Sequence, residues 1–277
     1  MQASYVQILN DLQEAESLLP TAIPARNLNR PSRLAAQALF ARIYLSVGDY
    51  KDAGLYADSV LQTYSFLLDY NTLLPVGIIP VGDTMPEILY QSNLPQPGNG
   101  NTLEGLICNG CIIDSNLLAS YAPNDLRPSV YYFQQASNLF TLRGSYSGTL
   151  FPFSGLATDE LYLIRAECSA RNGDTASALS DLNSLLTHRW VTGTFTPYPI
   201  QSAAEALDTI LVERRKELAF RGIRWSDLRR LNKEGWNITL SRNINNQTYS
   251  LSPNSNLYTL PIPPDVIEFS GIQNNPR

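Results

Sequence analysis

Between Glu213 and Arg230 the chain reads Glu-Arg-Arg-Lys-Glu-Leu-Ala-Phe-Arg-Gly-Ile-Arg-Trp-Ser-Asp-Leu-Arg-Arg. Glu213 and Glu217 stand four residues apart with Arg214 and Lys216 beside them, and Arg224, Asp227, Arg229 and Arg230 follow. Residues of these types can do three things. Two carboxylates can act as an acid and a base. Arginines can clamp a phosphate. Or the charges can pair with one another as a buried ionic network. The network is the favoured reading, because the arginine fork pairs well with carboxylates inside proteins. Two carboxylates on one helix also do not flank a cleft, as a glycoside-cleaving pair must. Asp159 and Glu160 meet the same objection. No partner nucleophile or metal accompanies either pair, so no catalytic residue is expected.

Helices must position these side chains. Ile210, Leu211, Arg214, Glu217 and Leu218 recur at helical spacing, which predicts a helix over 204–220 with one face inward. Gly222 is expected to close it as a C′ residue, and Trp225 and Leu228 to anchor a second helix over 224–232. The charges would lock these two helices at a sharp corner. At the other end, Tyr5, Ile8, Leu9, Leu12, Ala15 and Leu19 predict an amphipathic helix over 4–19, ended by Pro20 and Pro24. A helix over 31–47 follows, with Pro31 in its first turn, Ser32 helping at the start and Gly48 at its close. A third covers 49–64.

An internal repeat lies in these helices. Ala41, Gly48, Asp49, Ala53 and Leu61 recur as Ala166, Gly173, Asp174, Ala178 and Leu186, at identical spacing. A small residue before a Gly-Asp turn and an alanine after it let two antiparallel helices approach closely, as in tetratricopeptide units. About a hundred residues separate the copies, which argues against a simple solenoid. That intervening stretch, 70–158, is rich in proline and glycine. It offers one short strand at Ile88–Gln91, an amide-rich loop from Gln91 to Thr102 and a short helix at Asp114–Tyr121. A second irregular stretch occupies 191–203. The tail, 237–277, alternates weakly and carries prolines too dense for a central strand or helix around Leu257–Asp265.

Composition sets the outer bounds. The chain has 277 residues, 44% hydrophobic and 16% charged, with a net charge of −5. That balance argues against nucleic acid, which selects basic domains. No run of eighteen apolar residues is present to span a bilayer. The 15 tyrosines suit neutral, hydroxyl-rich ligands and equally suit an exported protein. Cys108 and Cys111 form a lone pair. A metal site would need two further ligands, and the single histidine, His188, is far off in sequence. No metal or cofactor is expected. His188 reads as a helix C-terminal residue.

The Glu213–Arg230 segment resembles the C-terminal signature of the SusD/RagB family, through Glu213, Arg214, Glu217, Gly222, Arg224, Trp225, Asp227 and Arg229. Three more blocks agree in order. Ala35–Leu61 and Asp159–Asp174, the latter with Ala178 and Leu182, look like the family's tetratricopeptide units, and Leu257–Ile267 with Gln273–Pro276 looks like its closing stretch. The resemblance implies a mainly α fold, a SusD-like α-α superhelix of helical pairs with a loop-rich region and a few short strands. It implies one domain over 1–277, with helical units at about 4–64 and 159–232, an insert at about 70–158 and an extended tail at about 237–277. It also implies a job. Such proteins are outer-membrane lipoproteins of Bacteroidetes that capture nutrients, commonly glycans for polysaccharide utilisation, and pass them to a TonB-dependent, SusC-like transporter without catalysis. The start, Met1-Gln-Ala-Ser-Tyr5, carries neither a leader nor a lipidated cysteine. The resemblance therefore points to a C-terminal part of the family pattern or to a short member, whose membrane attachment would come from a lipid anchor outside this chain.

Ligand-holding residues are not carried over by the signature and are sought by type. Sugars need aromatic faces and amides. The candidates are Asn93, Gln96, Asn99 and Asn101 in the amide-rich loop, Tyr146 in a glycine- and serine-rich loop, and Trp190, Tyr198 and Trp236. A helical-repeat scaffold that docks to the transporter or to another protein is the competing expectation.

Overall fold

A computed structural model of the chain describes residues 2–25, 28–73, 85–94, 112–136, 139–143, 146 and 152–277. Its internal contacts divide the chain into two units, Met1–Gly222 and Ile223–Arg277.

The first unit is built on helical pairs. Helix α1 spans Gln2–Leu18, α2 spans Arg33–Val47 and α3 spans Tyr50–Thr63. Ser32 caps α2, its hydroxyl accepting from Ala35 N, so Pro31 lies ahead of the cap and outside the first turn. After α2 the chain turns through Gly48 at φ +86°, a left-handed conformation that glycine adopts without strain, and Asp49 caps α3. The second copy repeats this geometry. Helix α6 (Thr158–Arg171) runs to Gly173 at φ +83°, and Asp174 caps α7 (Thr175–Thr187) through Ser177 N.

The two hairpins are neighbours in space, since α2 packs on α3, α3 on α6, and α6 on α7. The separation in sequence is therefore a looped-out excursion, and the stacking is that of successive repeats. Small residues make this contact. Ala38, Ala41, Ala53, Ala57, Ala166 and Ala178 are all fully buried. A Cβ placed on Gly54 of α3 would stand 3.0 Å from Cys168 Cβ of α6, tighter than nine in ten real Cβ contacts. Helix α8 (Ala203–Glu217) packs on α6 and α7 and opens with a Ser202/Glu205 capping box.

The excursion returns to the stack as two small sheets. Strand β1 (Ile88–Tyr90) pairs antiparallel with β4 (Leu156–Ala157), bringing the two ends of the insert together, and β2 (Tyr132–Ala136) pairs with β3 (Leu139–Leu142). Short helices α4 (Ser115–Ala119) and α5 (Arg127–Tyr131) lie between β1 and β2. Tyr70, Met85, Ile88, Leu126, Val130, Phe153 and Ala157 form the core of this layer.

The second unit contains α9 (Arg224–Lys233), a hairpin of β5 (Leu240–Ile244) and β6 (Gln247–Leu251), and α10 (Pro264–Ser270). The hairpin turns on Asn245 and Asn246, both at positive φ, as a two-residue turn of matching twist requires. The proline run stays extended until Pro263 and Pro264, which open α10, where a missing N–H costs nothing. The mainly α architecture expected from the sequence is thus the observed one. Gly222 departs from its expected role. Helix α8 ends at Glu217, and the chain turns early, through Phe220 at φ +61°, before Gly222 at φ +78°.

Candidate functional site

The charged residues of α8 do pair inside the protein, with partners far away in sequence. Arg127 and Arg189 have no exposed surface. Arg127 donates to Asp125 at 2.6 Å, to Glu213 at 2.6 Å and to Glu217 at 3.2 Å. Arg189 donates to the other Glu217 oxygen at 2.7 Å, to Glu87 at 2.9 Å and to Leu68 O at 2.8 Å, with its guanidinium 4.1 Å from the Tyr70 ring centroid. Lys216 closes on Glu213 at 2.6 Å. Arg221 reaches Asp159 at 3.0 Å and lies 4.5 Å from the rings of both Tyr146 and Phe153.

These residues set five carboxylates, Glu87, Asp125, Asp159, Glu213 and Glu217, against four cations. Burial pushes the Glu87 carboxyl up to about 7, and Arg189 only partly offsets it. Burial likewise raises Asp159 against the pull of Arg221. At Glu213 burial is outweighed by Arg127 and Lys216, which hold it below the ordinary carboxylate value. Glu160 pairs with Arg42 instead, 2.9 Å from its Nε, and is also held low, Arg42 outweighing burial. Each of the carboxylates weighed as an acid or base is therefore engaged by a cation.

This network fixes the loop that leaves α7. Arg189 accepts Leu126 N at its carbonyl, 2.8 Å away, and the next residue, Trp190, is bridged to Asp125. The Asn71 amide then grips the loop twice, donating to Trp190 O at 2.9 Å and accepting from Thr192 N at 3.1 Å. Asn183 of α7 grips its far end in the same manner, donating to Tyr198 O at 3.1 Å and accepting from Tyr198 N at 2.8 Å. Between the two clamps stand three half-buried rings. Trp190 and Phe195 have centroids 5.4 Å apart, and Phe195 and Tyr198 lie 6.3 Å apart. Val191 and Ile200 flank them, exposed. The arrangement is a preorganised cluster of aromatic rings with apolar edges, tilted by 55° between Trp190 and Phe195 and edge-on at 71° between Phe195 and Tyr198.

Of the expected ligand residues, the structure brings Trp190 and Tyr198 together. Phe195 was missed; its signal was its spacing between them in a segment rich in threonine and proline. Tyr146 is half-buried, with its hydroxyl bonded to Glu87 and its ring on Arg221 and Phe153, so it is a wall of the ionic network. Asn93 is half-buried, bridged to Phe153, and its Oδ1 is buried without a partner among the described residues. Trp236 is half-buried in the second unit, after α9. Gln96, Asn99 and Asn101 lie outside the described residues, as do Cys108 and Cys111. Of the signature residues, Glu213, Arg214 and Glu217 are buried on α8. On α9, Asp227 is buried and paired with Arg230 at 2.9 Å. Trp225 is 37% exposed and held by its Nε1, which donates to Tyr258 O at 3.1 Å.

A superhelix of tetratricopeptide-like pairs, with its charges spent on holding loops in place, defines a class of helical scaffold that presents a surface. Within that class, residues 158–276 match the family model described as SusD family. Solved structures of the same fold agree over nearly the whole chain. A SusD-like carbohydrate binding protein from Bacteroides vulgatus is 20% identical, with a TM-score of 0.68, over 95% of this chain and 63% of that one. A SusD superfamily protein from Bacteroides fragilis is 22% identical, with a TM-score of 0.75, over 96% and 62%. Surface glycan-binding protein A from Bacteroides uniformis is 16% identical, with a TM-score of 0.71, over 99% and 68%. The chain thus spans less than two thirds of the length of the first two. Comparison with curated proteins gave no match.

Proposed function

We propose that the protein captures a glycan without catalysis, at the extracellular face of the outer membrane, for delivery to a TonB-dependent transporter. The aromatic trio Trp190, Phe195 and Tyr198, pinned by Asn71 and Asn183, carries this reading. Its rings are held before any ligand arrives, so little ordering cost is left to oppose binding. The names of two fold relatives, a carbohydrate binding protein and a surface glycan-binding protein, support the ligand class. Engagement of Glu213, Glu217, Asp159 and Glu160 by arginines supports a binding role over a hydrolytic one.

Native electrophoresis in gels cast with a panel of polysaccharides tests the proposal. At least one glycan is expected to retard the protein. Replacing Trp190 and Tyr198 together by alanine should weaken that retention at least tenfold, the usual scale for truncating anchor aromatics. Retention by no glycan, or retention unchanged in the double variant, rules the reading out.

One observation favours docking as a second role. A groove of about 910 Å³ runs along α3, α6 and α7, edged by Tyr50, Asp58, Arg165, Arg171 and Asp181. Helical-repeat proteins commonly receive partners on such surfaces. Co-purification with the transporter, lost on reversing the Arg165 and Arg171 charges while glycan retention persists, is the expected result.

A further inference from the structure

The second unit holds a pocket that the aromatic trio does not use. It encloses about 260 Å³ between α9 and the segment 254–259. Its floor is rigid. Tyr258 is buried and tilted against Trp225 at 4.7 Å, and its hydroxyl receives Asn232 Nδ2 at 3.3 Å. Asn232 also binds Ile238 N at 2.7 Å through Oδ1, and Asn254 Nδ2 returns to Asn232 O at 3.0 Å. On the α9 wall stand Arg229 and Lys233, one turn apart. Neither makes an ion pair or side-chain hydrogen bond among the described residues. The opposite wall offers the amide of Asn256 and the hydroxyls of Ser255 and Thr259.

Two like charges four apart on a helix repel unless something neutralises them. The C-terminal end of α9 opposes an anion with about half a negative elementary charge, and two full positive charges outweigh it. The unit as a whole is basic, with six Lys and Arg against four Asp and Glu over residues 223–277, in a chain of net charge −5. An arginine fork matches the two oxygens of a carboxylate or sulfate, a lysine adds a point charge, and amides and hydroxyls suit ring hydroxyls.

We propose that this pocket is a second binding site, which takes the carboxylate or sulfate group of an acidic saccharide on Arg229 and Lys233. It rests on the glycan reading only for the saccharide part of the ligand. Calorimetry on the intact protein at low and moderate salt, with trigalacturonate, a sulfated disaccharide, a neutral trisaccharide and inorganic sulfate as probes, tests it. An acidic saccharide is expected to bind at least tenfold tighter than the neutral one, and more weakly as salt rises. The R229Q/K233Q variant should lose that preference, with an unchanged melting temperature and unchanged retention of neutral glycans. Undiminished binding of acidic saccharide by R229Q/K233Q overturns the proposal. Loss of that binding in the Trp190/Tyr198 double alanine variant instead would also overturn it, placing the ligand on the aromatic trio. Inorganic sulfate binding as tightly as either saccharide would remove the saccharide assignment. Failure of all neutral-glycan capture, with Arg229-dependent binding of acidic saccharide retained, would sink the neutral-glycan reading of the trio and leave this one standing.

Discussion

Arg127 and Arg189 show what a buried arginine requires. The carboxylates around them come from three segments, Glu87, Asp125, and Glu213 with Glu217 on α8, so neither arginine could be removed without stranding some of them. Arg189→Met is the sharpest test. It leaves Glu217 and Glu87 short of a partner in a dry interior, which should cost on the order of 3–5 kcal/mol in a urea unfolding experiment. A loss below about 1 kcal/mol would mean the network does not carry the charge balance described. The sequence made Glu213 and Glu217 legible as members of a buried network, because charge at helical spacing beside Ile210 and Leu218 has few other uses. Their partners were not legible. Arg127 lies 86 and 90 residues from its two glutamates on α8, and Arg189 lies 102 from Glu87. No local pattern encodes such a pairing, so neighbouring arginines of the signature stood in for them. Trp190 and Tyr198 were recognisable as types, whereas the amide clamps that make them a surface came only with the fold.

The helices were the most legible elements, since caps and apolar spacing mark them directly. The stacking of α3 on α6 was not, because sequence distance concealed a spatial neighbour. Its tightest point is Gly54 against Cys168. Gly54→Val should destabilise the protein by about 1–3 kcal/mol, through overpacking that outweighs any gain from removing a helical glycine. A melting temperature at or above that of the unaltered protein would show that the two hairpins have slack. The clamp on the aromatic loop makes a separate prediction. Asn183→Leu removes both bonds to Tyr198 from a half-buried position. Hydrogen exchange at the Tyr198 amide should accelerate by at least tenfold, and glycan retention should fall, with little change in global stability. Protection that persisted would assign the loop's order to its rings alone.

At the scale of the molecule, the ionic network sets how stability follows pH. Glu160 and Glu213 are held low, so the stability they lend is present above the unfolded carboxylate value and is lost as pH falls through their folded values. Glu87 works in the other direction. Its folded value, about 7, lies above its ordinary 4.5, so its contribution is complete below 4.5 and is lost as pH rises through 7. Glu87→Gln should therefore flatten the decline between about pH 4.5 and 7 and leave the acid limb in place. Denaturation series of both proteins across that range provide the check; parallel curves would exclude Glu87 as the group responsible.

The looped-out insert between the two hairpins also dictates a timetable. As the chain emerges, α2 and α3 appear well before α6, with their alanine face uncovered, and Asp125 and Arg127 follow with only each other for company. The glutamates that complete Arg127 arrive some 86–90 residues later, on the order of 4–18 seconds at ordinary synthesis rates. The second hairpin, α6 and α7, is made before those glutamates, but until it appears the first has nothing to close on, and folding must wait on long-range closure rather than proceed repeat by repeat. A chain with this topology stays exposed to aggregation until α8 is made, and nascent lengths ending before Glu213 should be the ones most dependent on a holding chaperone.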